Sequence, residues 1–375
     1  MNHDWDMLYI TFIDFDNNRS GSSVRPVKMY EAFKNIGLKV KLLEGQNNNR
    51  KKRKRNVKEI LRWLKTNRPK ICYIEPPSGP FFCSIDLYLM LNLKRLNIPI
   101  GLFYRDAYWM FPDLYASDMN KLKMKLIEMM SKRDLAVFKK TCAHLFFPSK
   151  TMIEELKFDM ECSDLPPGCV FRDIDDMIEE DNMRIRSAPI LTYFYVGGVS
   201  KYYGTKIMLN AFKDINKDKR TADLICVCRE DEWHRFFKEE DYINQQWLKL
   251  YHVSGDEKLS ELYKKADICV LSLLKSTYMD FAVPIKTFEY MSYGKPILST
   301  SCNEIQRIIE SNNMGWVVCD NEESMKEKIM YLCTSREEIM TAKKNSIAAL
   351  SDNTWEKRAQ TVVDTLHGYL KDFNI

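Results

Sequence analysis

Lys286 and Glu289 stand three residues apart in a stretch, residues 284–300, that reads Pro-Ile-Lys-Thr-Phe-Glu-Tyr-Met-Ser-Tyr-Gly-Lys-Pro-Ile-Leu-Ser-Thr. Its punctuation predicts a short helix: Pro284 suits the first helical position, and Gly294 followed by Pro296 suits the stop. Val283, just ahead, has no oxygen to accept the orphan N–H groups of the first turn. Lys286 in that turn opposes the helix dipole. A bound anion resolves both oddities, because free N–H groups and an ammonium aimed together form a phosphate site. Glu289 follows on the same face, placed to accept hydrogen bonds from two ribose hydroxyls. Together, with Thr287 between them, they suit a nucleoside diphosphate. The other reading is an ordinary surface ion pair, although lysine ahead of glutamate is the weaker order for one.

This stretch resembles the donor-binding helix of glycosyltransferase family 4 (glycosyl transferases group 1) and its relatives of the GT-B fold, where Pro-x-Lys-x-x-Glu-Tyr precedes Gly-Lys-Pro and a strand. The resemblance implies an α/β chain of two Rossmann-like domains facing a cleft. It gives Lys286 the donor diphosphate and a catalytic role, and Glu289 the ribose. It further implies a retaining glycosyltransferase with a UDP-sugar as substrate; because Lys286 and the helix N-terminus would neutralise the departing diphosphate, no metal or other cofactor is expected. Relatives usually carry arginine after the first glycine of the second domain's loop, and lysine before Gly204. This chain has Gly198 and Tyr203 there, with Lys201 or Lys206 as substitutes. Gly198, Lys201 and Arg229 therefore join the donor-side candidates. For Arg229 the alternative is a surface salt bridge to Asp231 or Glu232.

Positioning these residues requires alternating strands and helices. Residues 7–15 read as a strand, 16–23 as a polar loop, and Pro26 as the opening of a helix that Gly37 closes before a strand at 38–43. That is how a doubly wound sheet begins. The loop lacks G-x-G-x-x-G, so a dinucleotide site is poorly supported. In the family this loop lies at the cleft between domains, so the resemblance implies that Ser22, Ser23 and Arg25 reach the ligand, Ser22 and Arg25 on the acceptor side; the alternative is a solvated turn. Strands at 71–74 and 98–104 end at Glu75-Pro-Pro and Arg105-Asp106. Polar residues just past a parallel strand fall where α/β folds bind ligands, so Arg105, Asp106 and Tyr108 are acceptor-side candidates. Asp106 is the expected base or orienting carboxylate; the alternative is a pair with Arg105 or a loop cap. His144 starts a strand and reads as structural. Thr151 and Glu154 fit a capping box.

Pro166-Pro167-Gly168 looks like the turn that closes the first domain in this family. The expected division is residues 1–171 for acceptor binding, a charged linker at 172–188, a nucleotide-sugar domain at 189–352, and a terminal helix at 353–375 crossing back to the first domain. Asp173, Asp175 and Asp176 read as solvated linker residues rather than a metal motif. The second domain repeats the first: a strand at 191–196, Gly197-Gly198, a loop, a helix at 205–215 and a strand at 224–228.

The 375 residues suit two domains, and 45% hydrophobic with 12% aromatic content argues against disorder. The +5 balance of 57 basic and 52 acidic side chains does not imply nucleic acid, and no nucleic-acid motif is present. Basic residues cluster in two places: Arg50, Lys51, Lys52, Arg53, Lys54 and Arg55 ahead of a helix at 57–64, and a basic amphipathic helix at 119–142. The apolar side of the latter is expected in the core, and either cluster could rest on an anionic membrane surface. Eleven scattered cysteines without a C-x-x-C pair, no signal peptide and no transmembrane-length apolar run suggest a cytoplasmic protein with reduced thiols, peripheral on the inner face of the membrane at most.

The function expected is sugar transfer to a hydroxyl of a glycan, lipid-linked or surface-polysaccharide acceptor. Two alternatives are a non-catalytic nucleotide-sugar-binding partner subunit, suggested by the missing Arg and Lys, and a nucleotide-sugar 2-epimerase. The five histidines, none in a motif, disfavour the latter.

Overall fold

The computed structural model describes residues 5–15, 21–111, 120–172, 174–237, 242 and 245–371. Two compact units make up the chain: Met1–Pro167 with Trp355–Ile375, and Gly168–Thr354.

The first unit alternates β1 (Met7–Thr11), α1 (Gly21–Asn35), β2 (Val40–Leu43), α2 (Arg50–Trp63), β3 (Ile71–Glu75) and α3 (Ser84–Arg95). It continues through β4 (Ile100–Phe103), α4 (Lys121–Thr141), β5 (His144–Phe147), α5 (Lys150–Leu156) and β6 (Cys162–Asp164). Its six strands lie in the order β2-β1-β3-β4-β5-β6, all parallel. Every residue of β1, β3, β4 and β5 is buried, as expected for apolar runs covered on both faces. Right-handed crossovers put α1 on one face of the sheet and α2 to α5 on the other. Consistently, α3 packs against both α2 and α4.

The second unit runs α6 (Asp175–Ser187), β7 (Leu191–Val196), α7 (Thr205–Ile215), β8 (Ala222–Val227), α8 (Glu230–Phe236) and β9 (Leu248–Tyr251). Next come α9 (Asp256–Tyr263), β10 (Ile268–Leu271), α10 (Thr277–Phe281), α11 (Ile285–Ser292) and β11 (Ile297–Thr300). It ends with α12 (Asn303–Ser311), β12 (Gly315–Val318), α13 (Glu322–Leu332) and α14 (Arg336–Leu350). Its parallel order β12-β11-β10-β7-β8-β9 is the Rossmann arrangement, with the topological switch between β7 and β10. The last helix, α15 (Trp355–Lys371), belongs to the first unit and packs on α1. Leu366 of α15 fits over Gly101, where a Cβ would lie 3.1 Å from its methyl carbons and 2.9 Å from Phe146.

Several expectations are corrected. Helix α1 starts at Gly21, so Pro26 lies inside it; a proline this near the start costs few helical bonds. Helix α2 starts at Arg50 on an Asn49 cap, and Arg53 of the basic run is fully buried. Its guanidinium bonds Asp86 (2.8 Å), the Thr11 carbonyl (2.6 Å) and the Gly45 carbonyl (3.2 Å), and lies 3.8 Å from the Phe12 ring centroid. Ser149, not Thr151, caps α5 by accepting from the Met152 N–H at 3.1 Å.

The stretch 172–188, expected as a linker, is mostly α6 and is packed into the second unit. Asp181, 1% exposed, bonds Lys295, Lys343 (3.0 Å) and Arg184 (2.7 Å). Burial depresses the pKa of both lysines, that of Lys343 to about 8. Asp173 and the side chains of Asp175 and Asp176 lie outside the described residues.

Candidate functional site

Helix α11 follows β10 by way of α10 and leads into β11, in the connection that leaves the C-terminal end of β10, a strand at the switch point of the second unit. Pro284 sits at its N-cap position, no side chain caps its first turn, and that turn holds no acidic residue. Tyr290 anchors it: its hydroxyl accepts from the Val196 N–H (3.2 Å) and donates to the Val270 carbonyl (3.3 Å), joining β7 to β10. Gly294 ends it at φ +61°, where Ile347 and Ile174 leave no room for a side chain.

In this frame Lys286 Nζ is 2.6 Å from Glu289 Oε2, with both side chains partly exposed. Tyr263 donates to Glu289 Oε1 at 3.1 Å. Below, Tyr263 stacks on Tyr293 (centroids 4.0 Å apart), and Arg172, paired with Asp256, lies 4.2 Å from the Tyr293 ring. Tyr263 and Arg172 escaped the sequence reading because their part in the site depends on tertiary stacking. Thr287 is corrected to a core residue: it is fully buried and its hydroxyl has no hydrogen-bond partner.

The glycine loop after β7 meets the end of β10. Ser272 donates to the Tyr203 carbonyl (2.8 Å) and the Leu274 N–H to the Tyr202 carbonyl (3.0 Å). Gly204, at φ +59°, is obligatory, since a Cβ there would come within 1.6 Å of the Ser272 oxygen. Gly198 lies against Tyr203, where a Cβ would be 2.8 Å from the ring. The carboxylate of Glu232 holds this loop by accepting from the Val199 N–H at 3.0 Å. Arg229 also pairs with Glu232 (3.2 Å) and is largely exposed, matching its salt-bridge alternative. Lys201 is exposed in a one-turn 3-10 helix, Lys201–Tyr203.

In the first unit, Arg105 and Asp106 follow β4 and pair at 3.9 Å. They line a small open pocket of about 40 Å³, walled by the Pro76–Phe81 loop, Tyr104, Trp109, Asp134 and Phe138. Trp109 Nε1 donates to the Tyr104 hydroxyl at 3.0 Å, and burial pushes that hydroxyl's pKa up to about 12. Burial also raises the pKa of Asp134, which accepts from the Phe81 N–H (2.7 Å) and from Arg133. Aromatic faces beside polar oxygens suit a sugar ring, apolar on its faces and polar at its rim. Trp109 and Asp134 were missed in sequence because only the fold returns α4 to this loop.

Tyr108 lies on a one-turn 3-10 helix and does not line the pocket. Arg25 is corrected to a core residue, pairing with Glu75 at 3.0 Å and lying 3.5 Å from the Phe103 centroid. Ser23 is buried, and the side chain of Ser22 lies outside the described residues. His144 is structural, as expected, bonded to Ser163 (2.8 Å) and Tyr369 (3.2 Å). Among the described residues, no three His, Cys, Asp or Glu side chains gather as a metal would require, and no helix is long and apolar enough to cross a membrane.

The family model of glycosyl transferases group 1 matches residues 191–335. No curated protein matches the chain in sequence. Among solved structures, sucrose-phosphate synthase from Thermosynechococcus elongatus is similar at TM-score 0.71 and 12% identity, over 98% of this chain and 100% of that one. WaaG, a glycosyltransferase involved in lipopolysaccharide biosynthesis, is similar at TM-score 0.66 and 13% identity, over 96% and 100%. Anabaena HepE in complex with UDP is similar at TM-score 0.61 and 10% identity, over 97% and 100%. The chain therefore carries a glycosyl transferases group 1 domain in a GT-B fold, and it is an enzyme of the glycosyltransferase type.

Proposed function

We propose that the chain moves a sugar from a UDP-sugar to a hydroxyl of a glycan, lipid-linked or surface-polysaccharide acceptor, with retention of configuration and without a metal. The uncapped N-terminus of α11, with Lys286 in its first turn, carries the reading. As the glycosidic bond breaks, negative charge grows on the departing diphosphate; the ammonium and the backbone N–H groups neutralise it. Glu289 holds the Lys286 ammonium at 2.6 Å. A diphosphate would draw that ammonium away, leaving Glu289, still bonded by Tyr263, to accept the ribose hydroxyls.

UDP is favoured by the likeness to HepE, whose structure contains it, and the acceptor class by the likeness to WaaG. Retention rests on resemblance to the family. The Arg105–Asp106 pocket would take the acceptor sugar, Asp106 orienting its hydroxyl or receiving its proton.

Release of UDP from UDP-sugars by wild type, Lys286→Ala and Glu289→Ala tests this. Turnover by wild type, with kcat/KM down roughly 100-fold or more in Lys286→Ala, supports the reading. No turnover with any nucleotide sugar would mark a non-catalytic binding subunit and overturn it.

A further inference from the structure

The two sheets end in four edge strands, and three of them are defended. Strand β2 carries Lys41, β9 carries Lys249, and β6 is three residues long and ends in Asp164. Charged residues and very short strands keep such edges from pairing with another chain. Strand β12, as long as β2 and β9, reads Gly-Trp-Val-Val and carries no charge. It bonds β11 on one side, and each of its residues is half-buried. Among the described residues, no backbone group of 315–318 has a hydrogen bond beyond that ladder.

The surface beside this edge is apolar as well. Val317, Val318, Cys319 and Tyr331 line an open groove of about 400 Å³ together with Glu327 and Lys328 of α13. Tyr331 is 45% exposed, its neighbour Met330 51%, and Cys319 is exposed too. Glu327 and Lys328 form no ion pair among the described residues, the Lys328 ammonium lying 4.8 Å from the Tyr331 ring centroid. The groove shares no residue with α11 or with the pocket beside Asp106.

We propose that β12 pairs antiparallel with β12 of a second copy of this chain, making one continuous sheet through the second units of both copies. Identical strands related by a two-fold axis run antiparallel, so an open edge of this kind is its own complement. The charges fix the occupant. An isologous contact sets each Glu327 near the Lys328 of the other copy, satisfying two charges that one chain leaves unpaired, and does so twice across the axis. A partner of one sign would satisfy one of them and oppose the other. Met330 and Tyr331, on the helix beside the strand, supply the apolar and aromatic centre of the contact. The pairing goes beyond the transfer reaction and uses none of its proposed residues.

Sedimentation velocity of the full chain across the micromolar range tests it. Wild type is expected to shift from one copy to two as concentration rises. Lys328→Glu and Glu327→Lys each set like charges across the axis and weaken the dimer roughly tenfold. The double exchange, Glu327→Lys with Lys328→Glu, restores wild-type affinity, which a merely local effect of either residue would not do. Neither side chain is buried, so all three variants should melt with wild type, separating lost pairing from lost folding. Cys319 reports the same contact: its alkylation, followed by mass spectrometry, slows as the wild-type dimer fills and stays fast in Lys328→Glu. A chain that remains monomeric across the range overturns the proposal. So does a dimer indifferent to the charge reversals, one that the double exchange fails to restore, or one in which Cys319 reacts as fast as in the monomer. None of these outcomes bears on the turnover assay, so the two readings fail separately.

Discussion

Lys286 and Arg53 show what a single residue reveals before its fold is known. The oddity of Lys286 is local, a cation at the positive end of a helix that lacks a cap, and so is readable from a dozen letters. The fate of Arg53 is not: nothing within the run from Arg50 to Arg55 says that the fourth member points inward onto Asp86 and Phe12. Arg25 was misjudged for the same reason, its partners Glu75 and Phe103 being distant in sequence. His144 carries a prediction at this scale. Burial lowers its pKa from 6.5 to about 4, so the folded chain refuses a proton that the unfolded chain accepts throughout that window. The contribution of neutral His144 to stability is therefore complete above pH 6.5 and drains away as pH falls toward 4. Melting temperature should drop more steeply across this range in wild type than in His144→Gln; parallel curves would refute the assignment.

At the level of elements, α11 and its Gly-Lys-Pro stop were legible, because proline and glycine punctuate helices by local geometry. Helix α6 was not. Its charge pattern reads as solvated, yet Asp181 and Ile185 are buried and Asp181 gathers Lys295, Lys343 and Arg184. The lysine of Gly-Lys-Pro thereby ties α6 to the start of β11, also donating to the Ala266 carbonyl at 2.8 Å. Removing the shared anion leaves two buried ammonium groups poorly compensated. Asp181→Ala should cost about 3–5 kcal/mol in denaturant unfolding, and adding Lys295→Met should restore part of it. A loss below about 1 kcal/mol would show that the cluster is solvated instead.

For the whole chain, strict alternation of strand and helix foretold two parallel sheets, and the pairing realises them with a Rossmann order in the second unit. Sequence could not give the outward stripe of α4, since an amphipathic helix reads alike whichever way its apolar side turns; the core expected for that side is corrected by the exposure of Leu122, Leu126 and Met129. Nor could it show that a pocket beside Asp106 is walled by the loops that follow β3 and β4 together with α4. The account rests most heavily on α11 as an anion site. Calorimetric titration of UDP into wild type and Lys286→Ala tests this most directly. It should give one saturable site per chain, weakened roughly 100-fold in the variant, as expected when a charge-assisted phosphate contact is lost. Equal affinity in the two proteins, or no binding of UDP or any other nucleoside diphosphate, would contradict it.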